Sequence, residues 1–146
     1  MIIINGYHFP PGLLYDVPRH TWYRPEPDGS ITIGMTEIAT LLAGPILAYT
    51  PRRVGLPVET GRSCAVIESG KWVGPVRIAF NGTVLAVNEP LIDRPHLANL
   101  DPYNTGWILR AQPTDPNPLD ALVAGTALEA AYRTWMDAEN FPARDD

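Results

Sequence analysis

Proline is the residue that most restricts how this chain can fold. Sixteen prolines are spread without a period over 146 residues, about twice the ordinary usage of roughly 5%. Because proline breaks helices and cannot donate a hydrogen bond to a sheet, long helices cannot dominate the chain. The absence of a repeat argues against collagen or a disordered tail. The sequence therefore predicts short strands joined by many turns.

Length and charge narrow the class of protein further. With 146 residues, of which 45% are hydrophobic, the chain suits one domain over 1–146 with a real core. A net charge of -5 without a basic stripe argues against nucleic acid as a partner. No apolar run reaches the length of a membrane span, and residues 1–6 do not resemble a signal peptide. We therefore expect a cytoplasmic protein without membrane or nucleic-acid partners.

The single cysteine, Cys64, excludes an internal disulfide and a cysteine-based metal cluster. It lies in an apolar run, and a small buried core residue is its expected role. His8 and His96 show no metal-ligand spacing with acids or with Cys64. We expect no metal site.

Turn residues divide the chain into short elements. Residues 1–18 are predicted as an irregular N-terminal extension or an edge strand. Extended runs at 21–24 and 30–35 form a hairpin, and Thr36 caps a short helix that Gly44 ends. Strands are expected at 46–49, 63–68, 76–80, 83–87 and 107–111, with Asn81-Gly82 as the hairpin turn between 76–80 and 83–87.

Two helices are predicted after the strands. A short one covers 119–123, and a longer C-terminal helix covers 126–141. The longer helix shows a capping-box pattern with Thr126 as cap and Glu129 three residues on. Tyr132 and Trp135 are expected to anchor it to the core. The result is a mainly β sandwich or barrel with helices at its edges.

Lys71 follows the strand at 63–68, at the tip of a predicted turn. It is the only lysine among 11 basic residues. An exposed amine can be acylated, which removes its charge and adds a flexible arm. The alternative is an ordinary solvated surface lysine.

Motifs in fixed order carry a family resemblance from about Tyr15 to Phe141. The chain resembles the H proteins of the glycine cleavage system, members of the lipoyl-domain superfamily. The motifs are His20-Thr21-Trp22, Gly34-Met35-Thr36-Glu37, Glu68-Ser69-Gly70-Lys71, Asn81-Gly82, Val87-Asn88-Glu89, Asp101-Pro102-Tyr103 and Gly106-Trp107.

The resemblance implies a barrel-sandwich of two small antiparallel sheets, with a short helix after the first hairpin and a C-terminal helix. It implies lipoic acid bound covalently to Lys71 in a turn formed with Ser69, Gly70 and Trp72. Glu68 and Gly82 would guide the lipoate-attaching enzymes to that turn. The chain would be a carrier rather than an enzyme, with the lipoyl group supplying the redox chemistry. Dihydrolipoyl dehydrogenase is a further implied partner.

Departures from the family concern the cleft that would hold the cargo of the arm. Glycine cleavage H proteins usually carry acids where this chain has Thr21 and Pro75, and a carboxylate there would stabilise a cationic aminomethyl group. Arg77 and Trp72 stand at positions usually uncharged and small. These changes suit an uncharged or anionic cargo. The alternatives are that Arg77 is a charge on the sheet surface and that Trp72 caps the hairpin by packing on a neighbour. His20 either acts near the arm or is a hydrogen-bonded structural residue.

The run from Glu68 to Pro75 is similar to H-like lipoate-binding proteins of bacterial sulfur oxidation. That likeness implies a shuttle for sulfur intermediates working with a cytoplasmic heterodisulfide-reductase-like complex, and we take it as the first reading. Glycine cleavage is the second.

Other classes fit less well. The lysine flanked by Gly70 and Trp72 lacks the methionines of a biotin carrier. No nucleophile-base set or phosphate loop supports an autonomous enzyme, and a binding module that has lost the cofactor would not need Lys71.

Overall fold

The computed structural model describes residues 1–144, and most of its regular structure is β. Turn residues keep the strands short, as the proline distribution predicts. The strands are β1 (Ile2–Ile4), β2 (Tyr7–Phe9), β3 (Leu14–Asp16), β4 (Thr21–Pro25), β5 (Ile31–Met35), β6 (Ile46–Pro51), β7 (Pro57–Val58), β8 (Ser63–Ser69), β9 (Val73–Arg77), β10 (Gly82–Val87) and β11 (Leu109–Pro113). The helices are α1 (Glu37–Ala43), α2 (Glu89–Asp93), α3 (Leu97–Leu100) and α4 (Gly125–Glu139).

Three antiparallel sheets form from these strands. The largest has the order β3-β4-β5-β11-β10-β7, and the second has the order β6-β8-β9. The third is a hairpin of β1 and β2. The predicted fold class, mainly β with two main antiparallel sheets, a short helix after the first hairpin and a C-terminal helix, is confirmed.

The two main sheets enclose the principal hydrophobic core. Residues from both, including Tyr23, Ile33, Ile67 and Val76, are buried in it together with Cys64. On β8 the buried residues Ala65, Ile67 and Ser69 alternate with exposed Val66 and Glu68. This alternation is expected of a strand with one face on the core. The predicted core role of Cys64 is confirmed, and burial raises the pKa of its thiol to about 12.

A second core joins the two ends of the described chain. Phe9, Tyr15 and Trp22 pack with Tyr132 and Met136 of α4. The prediction of irregular structure over 1–18 is therefore wrong for β1 and β2, which pair with each other. The alternative prediction of an edge strand is confirmed for β3, which forms an edge of the large sheet. Helix α4 covers the apolar side chains of Ile4 and Phe9. Their burial favours ordered strands over irregular structure.

The Asn81-Gly82 pair is not a hairpin turn, contrary to prediction. Residues 73–77 pair with β8, whereas β10 pairs with β11 and β7 in the other main sheet. The pair therefore lies where the chain crosses between sheets. The Asn81 side chain donates to Asp115 at 3.0 Å and accepts from the Thr60 backbone at 2.9 Å.

Several predicted boundaries also shift. Helix α4 begins at Gly125 after Ala124, whose side chain makes no cap, so the predicted capping box of Thr126 and Glu129 is wrong. Residues 119–123 form turns and a single bridge from Val123 to Tyr15 instead of a helix. The strand predicted at 107–111 lies two residues later. The Thr36 cap and the Gly44 end of α1 are confirmed.

Candidate functional site

Lys71 lies at the tip of the hairpin that joins β8 to β9. The Ser69 backbone N–H donates to the Trp72 carbonyl at 2.7 Å, which closes the turn. The buried Ser69 hydroxyl accepts a hydrogen bond from the Lys71 backbone N–H at 3.4 Å. The same hydroxyl donates to the Trp72 carbonyl at 3.3 Å. Lys71 itself is exposed. The structure thus brings Ser69, Gly70, Lys71 and Trp72 into one tight turn, as predicted.

The lysine side chain runs over the C-terminal end of α1. A Cβ atom on Gly44 would lie 3.1 Å from Lys71 Cε and 3.7 Å from Nζ. Gly44 has a φ of 79°, in the region that favours glycine. The absence of a side chain at this position leaves the path of the lysine open. Glu68 is exposed on β8, opposite Val73, where a partner protein can reach it.

A cleft of about 260 Å³ opens beside this hairpin. Its walls come from the start of β4, from α1 and from β9, and most of them are apolar. The lining residues are Arg19, His20, Thr21, Met35, Ala39, Leu42, Ala43, Trp72, Pro75 and Val76. Three of the four predicted cleft residues, His20, Thr21 and Pro75, are therefore brought together with Trp72.

His20 is held by aromatic neighbours. Its Nδ1 lies 3.1 Å from the Tyr132 hydroxyl, and its ring stacks on Tyr132 and meets the Trp135 ring edge-on. Its φ is 57°, a left-handed backbone. Burial lowers the pKa of His20 to about 4, so the ring is neutral at pH 7. These contacts favour the structural role for His20, on the wall of the cleft.

Thr21 and Pro75 present no free polar group to the cleft. The Thr21 hydroxyl donates to the Tyr23 hydroxyl at 3.0 Å, and both side chains are buried. Burial also raises the pKa of Tyr23, so that this phenol stays neutral. Pro75 offers only its ring on β9. No carboxylate side chain lines the cleft among the residues from 1 to 144.

Trp72 forms the outer wall of the cleft. A Cβ on Gly74 would lie 2.2 Å from Trp72 Cζ2, so the indole ring rests directly on that glycine. The side chain remains 41% exposed. Trp72 therefore packs on the hairpin, as one of the two alternatives predicted, and also lines the cleft.

Arg19 is a cleft residue that sequence reasoning missed. Its Nη1 lies 3.0 Å from Asp16 Oδ2, and its side chain is 41% exposed. Its position beside the His20-Thr21-Trp22 motif was the available signal. Arg19 is the one ionic side chain of the cleft lining within the described part of the chain, and its ion pair with Asp16 offsets much of its positive charge.

Arg77 and Gly82 lie away from the cleft. Arg77 points into a separate groove, where its Nη1 donates to the Gly61 carbonyl at 3.0 Å, so its prediction as a cleft residue is wrong. A Cβ on Gly82 would lie 2.4 Å from the Gln112 carbonyl oxygen. Close strand packing against β11 therefore accounts for glycine at position 82.

Across residues 1–144, no group of three or more histidine, cysteine, aspartate or glutamate side chains is placed to hold a metal ion. In the same range no helix combines the length and apolar character needed to cross a membrane.

Comparisons with known proteins agree with this architecture. A family model described as glycine cleavage H-protein matches residues 13–134. Glycine cleavage system H protein 5 of Aquifex aeolicus is 45% identical over 120 residues, which cover 80% of each chain. The H protein of Halorhodospira halophila is 40% identical over 111 residues, covering 76% of this chain and 85% of that one.

A solved structure shows the same fold. The crystal structure of a glycine cleavage system H protein from Mycobacterium marinum matches with a TM-score of 0.75 at 28% identity, covering 86% of this chain and 99% of that chain. The chain therefore belongs to the glycine cleavage H-protein family, whose members are non-catalytic carriers with lipoate attached covalently to a lysine.

Proposed function

We propose that Lys71 is the lipoate attachment site and that the protein works as a swinging-arm carrier in glycine cleavage. The observation that carries this proposal is the exposed Lys71 amine at the tip of the β8–β9 hairpin, beside an open cleft. Amide formation at Nζ removes the positive charge of the lysine and extends its side chain. When bound, the lipoyl group supplies a disulfide that can be reduced and can carry a cargo.

The protein residues would present and shelter this arm. The closed turn at Ser69 fixes the base of the arm, and Gly44 leaves its first methylenes unobstructed. The apolar walls from Met35, Leu42 and Trp72 suit an alkyl chain. Size and apolar lining of the cleft therefore fit a lipoyl group.

Intact mass spectrometry tests the attachment directly. We expect the protein purified from its native host to be heavier by one lipoyl group, with the increment located on the peptide that contains Lys71. Lys71 is the only lysine of the chain, so Lys71→Arg should abolish the increment completely while leaving the fold intact. An unmodified Lys71 in the native host would show that the protein is not a lipoate carrier.

The names of the relatives support glycine cleavage as the pathway. With purified glycine decarboxylase and its partners, we expect the lipoylated protein to sustain glycine-dependent turnover. Free lipoamide at equal concentration is the matched control, because it offers the same dithiolane without the protein surface. Turnover no higher than with lipoamide would refute this pathway.

One observation favours a second cargo. The two positions where related H proteins carry acids present no carboxylate here, since the Thr21 hydroxyl is bonded to Tyr23 and position 75 is proline. Arg19 is the ionic side chain of the lining, and His20 is neutral. An aminomethyl cation gains no ion pair in such a cleft, whereas a neutral or anionic sulfur group meets no repelling carboxylate. We therefore retain as a second proposal a sulfur shuttle that works with a cytoplasmic heterodisulfide-reductase-like complex.

Returning an acid to the cleft separates the two cargoes. In the variant Pro75→Asp, a carboxylate facing an ammonium group would add a charge-assisted hydrogen bond of about 1.5–3 kcal/mol. If the cleft is adapted to sulfur, glycine-dependent turnover should rise about tenfold or more in Pro75→Asp, with Pro75→Asn as the uncharged control. Unchanged or lower turnover in Pro75→Asp, combined with high activity of the wild type, would exclude the sulfur proposal.

A further inference from the structure

A groove rich in arginine lies next to the cleft along β9. It measures about 530 Å³ and is lined by Arg52, Arg62 and Arg77, with Glu59 as the one acid of its lining among the described residues. We call this feature the arginine groove. The whole chain carries a net charge of -5, so a local excess of positive charge stands out against its surface.

The groove meets the cleft at Gly61. Arg77 Nη1 donates to the Gly61 carbonyl at 3.0 Å. On the other side, Arg19 Nη2 lies 3.6 Å from the position that a Cβ on Gly61 would occupy. Because Arg19 lines the cleft and Gly61 lines the groove, the two cavities are neighbours on the surface. Pro75 and Arg77, two residues apart on β9, point to the same side of that strand.

Internal ion pairs leave much of this charge free. Arg62 pairs with Glu59 at 3.5 Å, but the two side chains are 77% and 67% exposed, so solvent screens that pair strongly. Arg52 donates to the Pro57 carbonyl and Arg77 to the Gly61 carbonyl, which are neutral acceptors. Three arginines and one glutamate leave the described lining with a formal charge of +2, which favours an anionic partner.

We infer that the arginine groove is the docking surface for an acidic patch on the lipoate-attaching enzyme, whose active site receives the Lys71 side chain. This inference rests on the proposed carrier role. An extended acidic surface fits better than a small anion, because the exposed guanidinium groups are spread along an open groove and do not converge on one buried point. Charged residues at the rim of an interface mainly speed association and orient the partner.

Kinetics with a lipoate–protein ligase test this docking surface. We expect Arg62→Gln with Arg77→Gln to raise the KM for the unmodified carrier about fivefold while kcat stays the same. Raising the salt concentration should increase the KM for the wild-type carrier more than the KM for this variant. The matched control is Arg94→Gln with Arg133→Gln, which removes the same charge elsewhere and should change KM less than twofold. An unchanged KM in the groove variant, or an equal rise in both variants, would overturn the inference.

A titration that needs no lipoylation provides the second test. In NMR spectra of the arginine Nε–Hε groups, a hexaglutamate peptide at low salt should shift the signals of Arg52, Arg62 and Arg77 before those of the other arginines. No shift, or equal shifts at all ten arginines, would contradict acidic docking. Saturation of the groove signals by sulfate at lower concentration than by the peptide would identify a small-anion site instead. Failure of either test leaves the mass increment at Lys71 unaffected, so the carrier proposal is judged separately.

Discussion

Two tryptophan–glycine contacts of equal closeness should respond very differently to the same substitution. Trp22 on β4 lies directly opposite Gly34 on β5, and a Cβ on Gly34 would lie 2.2 Å from Trp22 Cε2. A Cβ on Gly74 would lie equally close to Trp72 Cζ2, at 2.2 Å. Trp22 is fully buried, whereas Trp72 is 41% exposed. Only the second ring has space into which it can move.

The cost of Gly34→Ala follows from that burial. Overpacking a buried site costs about 1–3 kcal/mol. Any shift of the Trp22 ring also strains the hydrogen bond that its Nε1 donates to the Pro102 carbonyl at 3.0 Å, and losing such a buried bond costs about 1–3 kcal/mol. Alanine also restricts the unfolded chain more than glycine does, and this effect offsets about 0.5 kcal/mol of the loss. We expect a net loss of about 3 kcal/mol, which lowers Tm by about 10 °C for a chain of this length.

Gly74→Ala should cost less than about 1 kcal/mol, because Trp72 can rotate into solvent. Gly70→Ala is the control, since a Cβ there meets no atom within 4 Å. Thermal and urea unfolding of the three variants would measure the differences. A loss in Gly74→Ala as large as that in Gly34→Ala, or a Gly34→Ala variant within about 1 kcal/mol of the wild type, would show that burial of the ring does not decide the cost.

Three further substitutions test other parts of the structure. His20 has its pKa lowered to about 4 by burial, so its protonation favours the unfolded chain. The free energy of unfolding should fall by about 3 kcal/mol between pH 6.5 and pH 4, and His20→Asn should flatten this slope in urea melts at each pH. Asn88→Ala leaves the Thr105 and Trp107 carbonyls without the donor that lies 2.8 Å from each. We expect a loss of about 3 kcal/mol in urea unfolding, and no recovery in Asn88→Asp. Thr36→Ala removes the N-cap of α1 and should cost about 1 kcal/mol, most of which Thr36→Ser restores.

Local patterns in the sequence were sufficient for the hairpin that carries Lys71. The alternation of β8 and the turn residues after Ser69 belong to one continuous stretch, so no distant partner is needed to define it. The Thr36 cap is equally local, because its side chain accepts from Ala39 only three residues on. Features of this kind can be predicted from the order of residues alone.

Partners distant in sequence explain the errors. Asn81-Gly82 has the composition of a hairpin turn, but the strands on its two sides pair with β8 and β11 in different sheets. Strands β1 and β2 are stabilised by the opposite end of the chain, as when the Tyr7 hydroxyl donates to the Pro142 carbonyl at 2.7 Å. Short apolar segments do not reveal which helix will cover them.

In the candidate site, too, the local feature was predicted and the arrangement of distant segments was not. The tip of the hairpin was predicted from one motif, whereas the cleft combines three separate segments. Arg19 was missed because it faces the cleft only through the left-handed turn at His20. Arg77 was assigned to the cleft from the family resemblance, as a charge at a usually uncharged position near the arm, yet its side chain lies in the arginine groove and donates to the Gly61 carbonyl.

The openness of the cleft is what a carrier of this kind requires. Burying a methylene contributes about 0.8 kcal/mol, so four or five methylenes covered on one side by the apolar wall would contribute about 2 kcal/mol. That is about a 30-fold preference for the docked arm over the free arm, so the free arm stays populated at a few per cent. An enclosed pocket would roughly double this free energy, and the docked arm would then be favoured over the free arm about a thousandfold. If Lys71 carries the lipoyl arm as proposed, the half-exposed ring of Trp72 would shelter the arm without enclosing it.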